Sequence, residues 1–242
     1  EFRRVLFRFV DSCPKLTPEM NAALAGFRAA ANYEMMWEDH AELAAVSGDD
    51  GISSIASDGA GDADEVAWTL DGMTYRYSAA TFFQANKLLA APLIEAAVGE
   101  ASGGMAFDLY SGVGLFTLPL ARSFERVIAV EEHPASSAMC GKNIANAGLS
   151  NAQAVTRGVA KFLSINRTRD VDMVVLDPPR MGTERGVIQM LAELRPAAIS
   201  YVSCDPAILA RDLEELLKTG YAIEDRKSTR LNSSHTDISR MP

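Results

Sequence analysis

From Met105 onward the chain alternates short apolar, β-rich runs with stretches of helical character, and this alternation limits the fold more than any other feature. The runs are AFDLY (106–110), RVIAV (126–130), AQAVT (152–156), VDMVVL (171–176) and AISYVS (198–203). Near-continuous apolar strands are buried on both faces, and strands separated by helices pair in parallel. The expected fold class is therefore α/β, a Rossmann-like parallel sheet with helices on both faces. Ligands of such sheets sit at the carboxyl ends of the strands, so the residues that follow each run are the candidates for chemistry.

Upstream the pattern differs, and a small α+β segment is expected. Residues 17–33 read as a helix: Thr17 can cap it, Pro18 suits its first position, and Met20, Ala23, Leu24 and Phe27 share a face. Residues 47–65 are rich in Gly, Ser and Asp and read as a linker or mobile loop. VAWTL, the turn pair Asp71-Gly72 and MTYRYS predict a β-hairpin. Residues 84–98 predict another helix, with Pro92 placed to kink it. No internal repeat is visible.

Both ends fall outside this pattern. EFRRVLFR (1–8) and DRKSTRLNSSHTDISRMP (225–242) resemble in-frame translations of sequencing-library adapters. The expected organisation is thus adapter-derived sequence at 1–9 and 225–242, a partial N-terminal region at 10–74, and a truncated main domain at 75–224. Each end carries a formal +2, so the net charge of −9 becomes about −13 for the residues between. Ten of those acidic side chains lie from Glu34 to Glu65, where Lys and Arg are absent. That balance opposes phosphate-backbone binding by this stretch itself. The three cysteines form no CxxC pair, and 48% of the residues are hydrophobic, enough for an ordinary core. A disulfide scaffold or self-contained zinc site is therefore excluded. There is no signal-peptide pattern and no bilayer-length apolar run, so a cytoplasmic, monomeric protein without membrane contact is expected.

Four strand ends carry the candidate chemistry. After the first run, Asp108-Leu109-Tyr110-Ser111-Gly112-Val113-Gly114 places two glycines in a strand-to-helix turn, where backbone can approach a ligand. A dinucleotide fingerprint would have a third glycine at 117, which is Thr117, and the acid at 108 suits a cationic, sugar-bearing ligand better than a pyrophosphate. Glu131 ends the second run and is placed to accept ribose hydroxyls. Asp177-Pro178-Pro179-Arg180 ends the fourth in a rigid turn with few amide donors. Ser203-Cys204-Asp205-Pro206 ends the fifth, with Asp205 a natural cap and Pro206 a natural first helical residue. Cys204 would lie beside a helix N-terminus, which favours thiolate. Cys140, within a helical pattern, reads as an inert buried thiol.

Together these residues resemble the S-adenosylmethionine-dependent RNA 5-methyluridine methyltransferases of tRNA and ribosomal RNA. The resemblance covers about 75–220: SAATFFQAN (78–86), DLYSGVG (108–114), Glu131, DPPR (177–180) and YVSCDPAILARD (201–212). It implies a class I methyltransferase fold, S-adenosyl-L-methionine as cofactor and RNA as partner. It also implies that Gln84, Tyr110, Gly112, Gly114, Glu131 and Asp177 line the cofactor site and that Cys204 is the nucleophile. In the family the general base is a glutamate about thirty residues past the cysteine, in a segment this chain lacks, and the last two strands of the sheet also follow residue 224. The chain as it stands is therefore expected to be aggregation-prone and unable to turn over. Leu115 and Val159 stand where relatives carry polar cofactor contacts. Cys13 resembles the last ligand of a 4Fe–4S cluster found in some relatives; the other ligands would lie upstream, so a cluster is expected only in an intact protein, with no metal here. An RNA cytosine-C5 methyltransferase, a non-catalytic S-adenosylmethionine-fold binding module and a nicotinamide dehydrogenase are the competing readings.

Overall fold

The computed structural model describes residues 12–14, 16–30, 43–56, 63–84, 86–166 and 170–227, with only the backbone of 27–30, 43 and 56. Residues 1–11 and 228–242, the expected helix end at 31–33 and positions 57–62 of the expected linker lie outside the described residues. The described chain forms two compact units, one reaching to Trp68 together with 77–80, the other comprising 69–76 and everything from Thr81.

In the first unit, helix α1 spans Pro18–Ala30. The Thr17 hydroxyl accepts from Met20 N at 3.2 Å, the capping role that its place before Pro18 predicts. One expectation is overturned: part of the presumed linker is a β-hairpin. Strand β1 (Leu43–Ser47) pairs antiparallel with β2 (Ile52–Ala56). The Gly48–Gly51 turn closes through Gly48 N to Gly51 O at 2.8 Å. Gly, Ser and Asp here are turn chemistry rather than linker composition, and Ser53 is buried, accepting from Ala79 N at 2.9 Å. Strands β3 (Val66–Leu70) and β4 (Met73–Tyr77) form the predicted hairpin. Its turn residues Asp71 and Gly72 have φ of 49° and 72°, the positive values a tight two-residue turn requires.

In the second unit, α2 (Lys87–Ala97) runs through Pro92 and is capped by Asn86, whose side chain accepts from Leu88 N. The sheet then builds as β5 (Gly103–Leu109), α3 (Thr117–Ser123), β6 (Phe124–Glu131), α4 (Pro134–Asn146), β7 (Ala152–Thr156), α5 (Val159–Ile165), β8 (Met173–Leu176), α6 (Val187–Leu194), β9 (Ala198–Tyr201) and α7 (Pro206–Lys218). Strand order is β7-β6-β5-β8-β9, parallel at every pairing, and among the described residues β9 has one neighbour. All five predicted strands are present. The fourth begins at Met173 rather than 171, and just before it the Asp172 carboxylate accepts from Gly104 N and Met105 N at the foot of β5.

Side chains of alternate strand residues divide the sheet's two sides. Phe107, Leu109, Ile128, Val130, Val174 and Leu176 form one buried cluster with α5, α6 and Leu216 of α7. Within it Phe107 and Phe162 meet edge to face at 5.2 Å. Such a pair is worth about 1 kcal/mol beyond area burial. Asp108 points to the other side, where it meets Thr117 of α3, which in turn lies 3.8 Å from Cys140 of α4. Helices thus cover both faces. Across β6, β5, β8 and β9 the register aligns Val130, Leu109, Leu176 and Tyr201 in one row, beyond which β6 pairs once more, Glu131 with Thr156 of β7. The candidate residues of β5, β6, β8 and β9 all follow that line. Among the described residues no helix is long and apolar enough to cross a membrane.

Candidate active site

The chain leaves β5 through a strained turn. Tyr110, Gly112 and Gly114 have φ of 64°, 54° and 98°. Glycine is needed at 114 on two grounds: the left-handed backbone, and the space, since a Cβ there would stand 3.0 Å from Cys140 Sγ. Asn143, fully buried on α4, secures the turn by donating to Val113 O at 2.9 Å, while it exchanges hydrogen bonds with the backbone of Arg76.

Glu131 lies under this turn. Its Oε2 accepts from Gly112 N at 2.9 Å and its Oε1 from His133 N at 2.7 Å. Each oxygen retains a lone pair, so the carboxylate can hold the turn and still accept ligand hydroxyls. Asp177, at the end of β8, is half-buried, with Gln84 Nε2 3.5 Å from its Oδ2. The structure therefore brings together Gly112 with Glu131, and Gln84 with Asp177. The Tyr110 hydroxyl donates to Glu184, in the loop between β8 and α6. That partner is a residue the sequence did not single out.

Cys204 follows β9, one strand beyond Asp177, and its residue is exposed. Asp205 caps α7 by accepting from Ala207 N and Ile208 N, and Ser203 Oγ accepts from Asp205 N at 3.1 Å. The loop carrying the thiol is thus fixed on both sides. Cys140 is the buried thiol expected; burial, reinforced by the negative charge of Asp108, pushes it up to about 12.

Asp108 is the second residue that sequence reasoning under-read. It is wholly buried, its Oδ2 accepts from Thr117 Oγ1 at 2.5 Å, and its Oδ1 has no partner. Thr117, the residue that departs from the dinucleotide fingerprint, is therefore its partner. Burial pushes Asp108 up to about 7; the Thr117 hydroxyl opposes the rise, while the charges of Asp177 and Glu131 add to it. Burial alone raises Asp177 to about 6. The carboxylates of Asp177 and Glu131 thus act on Asp108 across the ends of β5, β6 and β8, a field that suits a cation.

The model of the tRNA (uracil-5-)-methyltransferase family matches residues 64–226. The chain belongs to that family. It is 37% identical over 169 residues to the 23S rRNA (uracil(1939)-C(5))-methyltransferase RlmD of Shewanella sediminis, covering 68% of this chain and 38% of that protein. It is 38% identical over 148 residues to an uncharacterized RNA methyltransferase of Thermotoga maritima, covering 59% and 33%. Among solved structures it resembles the Pyrococcus abyssi tRNA (uracil-54, C5)-methyltransferase in complex with S-adenosyl-L-homocysteine. The TM-score is 0.56 at 28% identity, over 65% of this chain and 41% of that one. The chain spans roughly a third of the length of the curated relatives it matches.

The family's cationic cofactor fits the residues present. The positive-φ glycine turn, the Glu131 lone pairs and the orphaned Asp108 Oδ1 among mutually repelling carboxylates all favour a positively charged, hydroxyl-bearing ligand. Leu115 and Val159 are both buried, and the Leu115 carbonyl accepts from the Tyr75 hydroxyl at 3.2 Å. Cys13 lies in the first unit, and among the described residues no three His, Cys, Asp or Glu side chains converge on a metal site.

A pH dependence follows for the ligand-free chain. The folded value of Asp108, about 7, lies above its ordinary 3.8, so the folded state takes up the proton first. The cost of its buried charge is fully present above about pH 7 and is relieved as pH falls toward 4. Asp177 adds to the same trend from about 6. A tenfold difference in proton affinity corresponds to about 1.4 kcal/mol. The melting midpoint is expected to rise by about 4 °C or more between about pH 8 and pH 5.5. Asp108→Asn should raise the midpoint at the alkaline end and flatten the profile. A midpoint in the unaltered chain that falls on acidification over this range would contradict the assignment.

Proposed function

We propose that the chain is the catalytic part of an S-adenosylmethionine-dependent RNA methyltransferase that methylates C5 of a uridine in tRNA or ribosomal RNA, with Cys204 as nucleophile. The observation that carries this reading is an exposed thiol at the end of β9, on the sheet edge where Asp177, Glu131 and the glycine turn of a methyltransferase family lie. When bound, the cofactor supplies an electrophilic methyl group. Glu131, held by the Gly112 amide, would orient its sugar, and Asp177 with Gln84 would line the β8 side.

Uracil C5 is too weak a nucleophile to be methylated directly. Cys204, reacting as the thiolate, forms a bond from sulfur to C6 and pushes the electron pair into the enolate, making C5 nucleophilic. After methylation the C5 proton leaves to a base and the sulfur–C6 bond breaks, regenerating the thiolate. The uracil must be unstacked to reach the thiol. In the family the base is a glutamate that none of the residues above supplies.

The test separates uracil from cytosine chemistry. The chain is incubated with methyl-labelled S-adenosylmethionine and RNA carrying either 5-fluorouridine or 5-fluorocytidine. Label is expected in a denaturation-resistant protein–RNA species with the first RNA and not with the second. The reverse preference would replace this reading with cytosine methylation. Cofactor binding without either adduct would favour a binding module.

A further inference from the structure

Asp212 lies in the second turn of α7, is 3% exposed, and collects hydrogen bonds from three elements. Its Oδ2 accepts from Thr183 N at 3.3 Å, Thr183 Oγ1 at 3.1 Å and the Tyr201 hydroxyl at 2.6 Å. Its Oδ1 accepts from the Arg211 guanidinium at 2.7 Å. Thr183 belongs to the loop that follows Asp177, Tyr201 is the last residue of β9, and α7 begins two residues after Cys204. The same loop is pressed against α7 at Gly182. Its φ is 83°, and a Cβ there would stand 2.5 Å from both Ile208 Cγ2 and a terminal nitrogen of Arg211. Farther along, Glu184 of that loop receives the Tyr110 hydroxyl.

The ladder between β8 and β9 ends at Leu176 and Tyr201, followed by one hydrogen bond from Val202 N to Leu176 O. Beyond it the two strand ends, one leading to Asp177 and Arg180 and the other to Cys204, leave the sheet without further backbone pairing to each other among the described residues. We propose that Asp212 is a positioning residue that fixes the loop after Asp177 against the helix of Cys204, so that the thiol and the opposite wall of the site keep one spacing. The proposal rests on the methyltransferase reading. Misplacement of a nucleophile by about 1 Å can cost two orders of magnitude in rate, and the Asp212 carboxylate is hydrogen-bonded to this loop, to β9 and to its neighbour on α7 at once. Burial works to raise the Asp212 carboxyl, but the bonds from Tyr201, Arg211 and Thr183 outweigh it and hold it below the usual carboxylate range. Asp212 therefore accepts these bonds as a carboxylate.

Two readouts on the full chain test this. Trypsin cleavage after Arg180 and Arg185 reports loop anchoring without any substrate. Adduct formation with 5-fluorouridine RNA reports thiol placement. Asp212→Ala is expected to speed loop cleavage and slow adduct formation by about tenfold each, with cofactor affinity held within about twofold. Asp212→Asn keeps an acceptor for Thr183 and Tyr201 and should recover both to within about threefold. Where Asp212→Ala does not fold, the pair Thr183→Ala with Tyr201→Phe removes the two hydroxyl donors and should move both readouts in the same direction. Unchanged loop cleavage overturns the anchor. Faster cleavage with an unchanged adduct rate, or equal losses of adduct and cofactor affinity, overturns the positioning role. No adduct from the unaltered chain overturns the methyltransferase reading instead, and the positioning role with it.

Discussion

Cys204→Ala is expected to abolish the covalent adduct with 5-fluorouridine RNA, a loss of about a thousandfold or more, while S-adenosylmethionine affinity stays within about twofold. The asymmetry follows from placement. Cys204 sits beyond β9 on an exposed loop, whereas the glycine turn and Glu131 belong to β5 and β6, with β8 between them and the thiol. Removing the thiol takes away bond formation to C6 and leaves the hydrogen bonds at the cofactor site untouched. Gel separation of labelled RNA under denaturing conditions reads the first quantity, and equilibrium dialysis the second. Cys140→Ala is the useful contrast, because that thiol is buried and pushed up to about 12 and should have no part in the adduct.

Glu131→Ala should do the opposite. Its carboxylate orders the turn through Gly112 N and the start of α4 through His133 N, besides the ligand contact proposed for it. Hydrogen bonds to a charged group are worth about 1.5 kcal/mol each or more. Cofactor affinity is therefore expected to fall by about a hundredfold. Adduct formation should fall with it and recover in part at high cofactor concentration. Glu131→Gln, which keeps one acceptor and the shape, should lose about tenfold. Unchanged affinity in Glu131→Ala would remove this residue from the site.

How much of this was legible in the sequence varied with the kind of signal. The third strand, AQAVT, was readable to the residue, and Asp71-Gly72 gave its hairpin outright, because apolar runs and turn chemistry act locally. The hairpin at 43–56 was missed because Gly, Ser and Asp in a turn have the same composition as a linker, although Asp50-Gly51 carried the same turn signal. Strand-end residues could be assigned to one edge, since parallel pairing forces that. Their partners could not. That Thr117 answers Asp108, that Glu184 takes the Tyr110 hydroxyl, and that Asp212 ties a loop to a strand are contacts between residues 9, 74 and 29 positions apart. No periodicity encodes them. Glu131 shows both limits at once: its position was readable, its grip on two backbone amides was not.

The measurement that tests the central claim most directly is the site of the trapped adduct. The chain is reacted with S-adenosylmethionine and 5-fluorouridine RNA, digested with nuclease and trypsin, and the modified peptide is sequenced by mass spectrometry. Cleavage after Arg185 and Arg211, with none at the Arg195-Pro196 bond, yields residues 186–211, in which Cys204 is the one cysteine. That peptide is expected to carry a methylated 5-fluorouridine nucleotide on Cys204. The same mass on the peptide containing Cys140 or Cys13, or a nucleotide without the methyl group, would contradict the account.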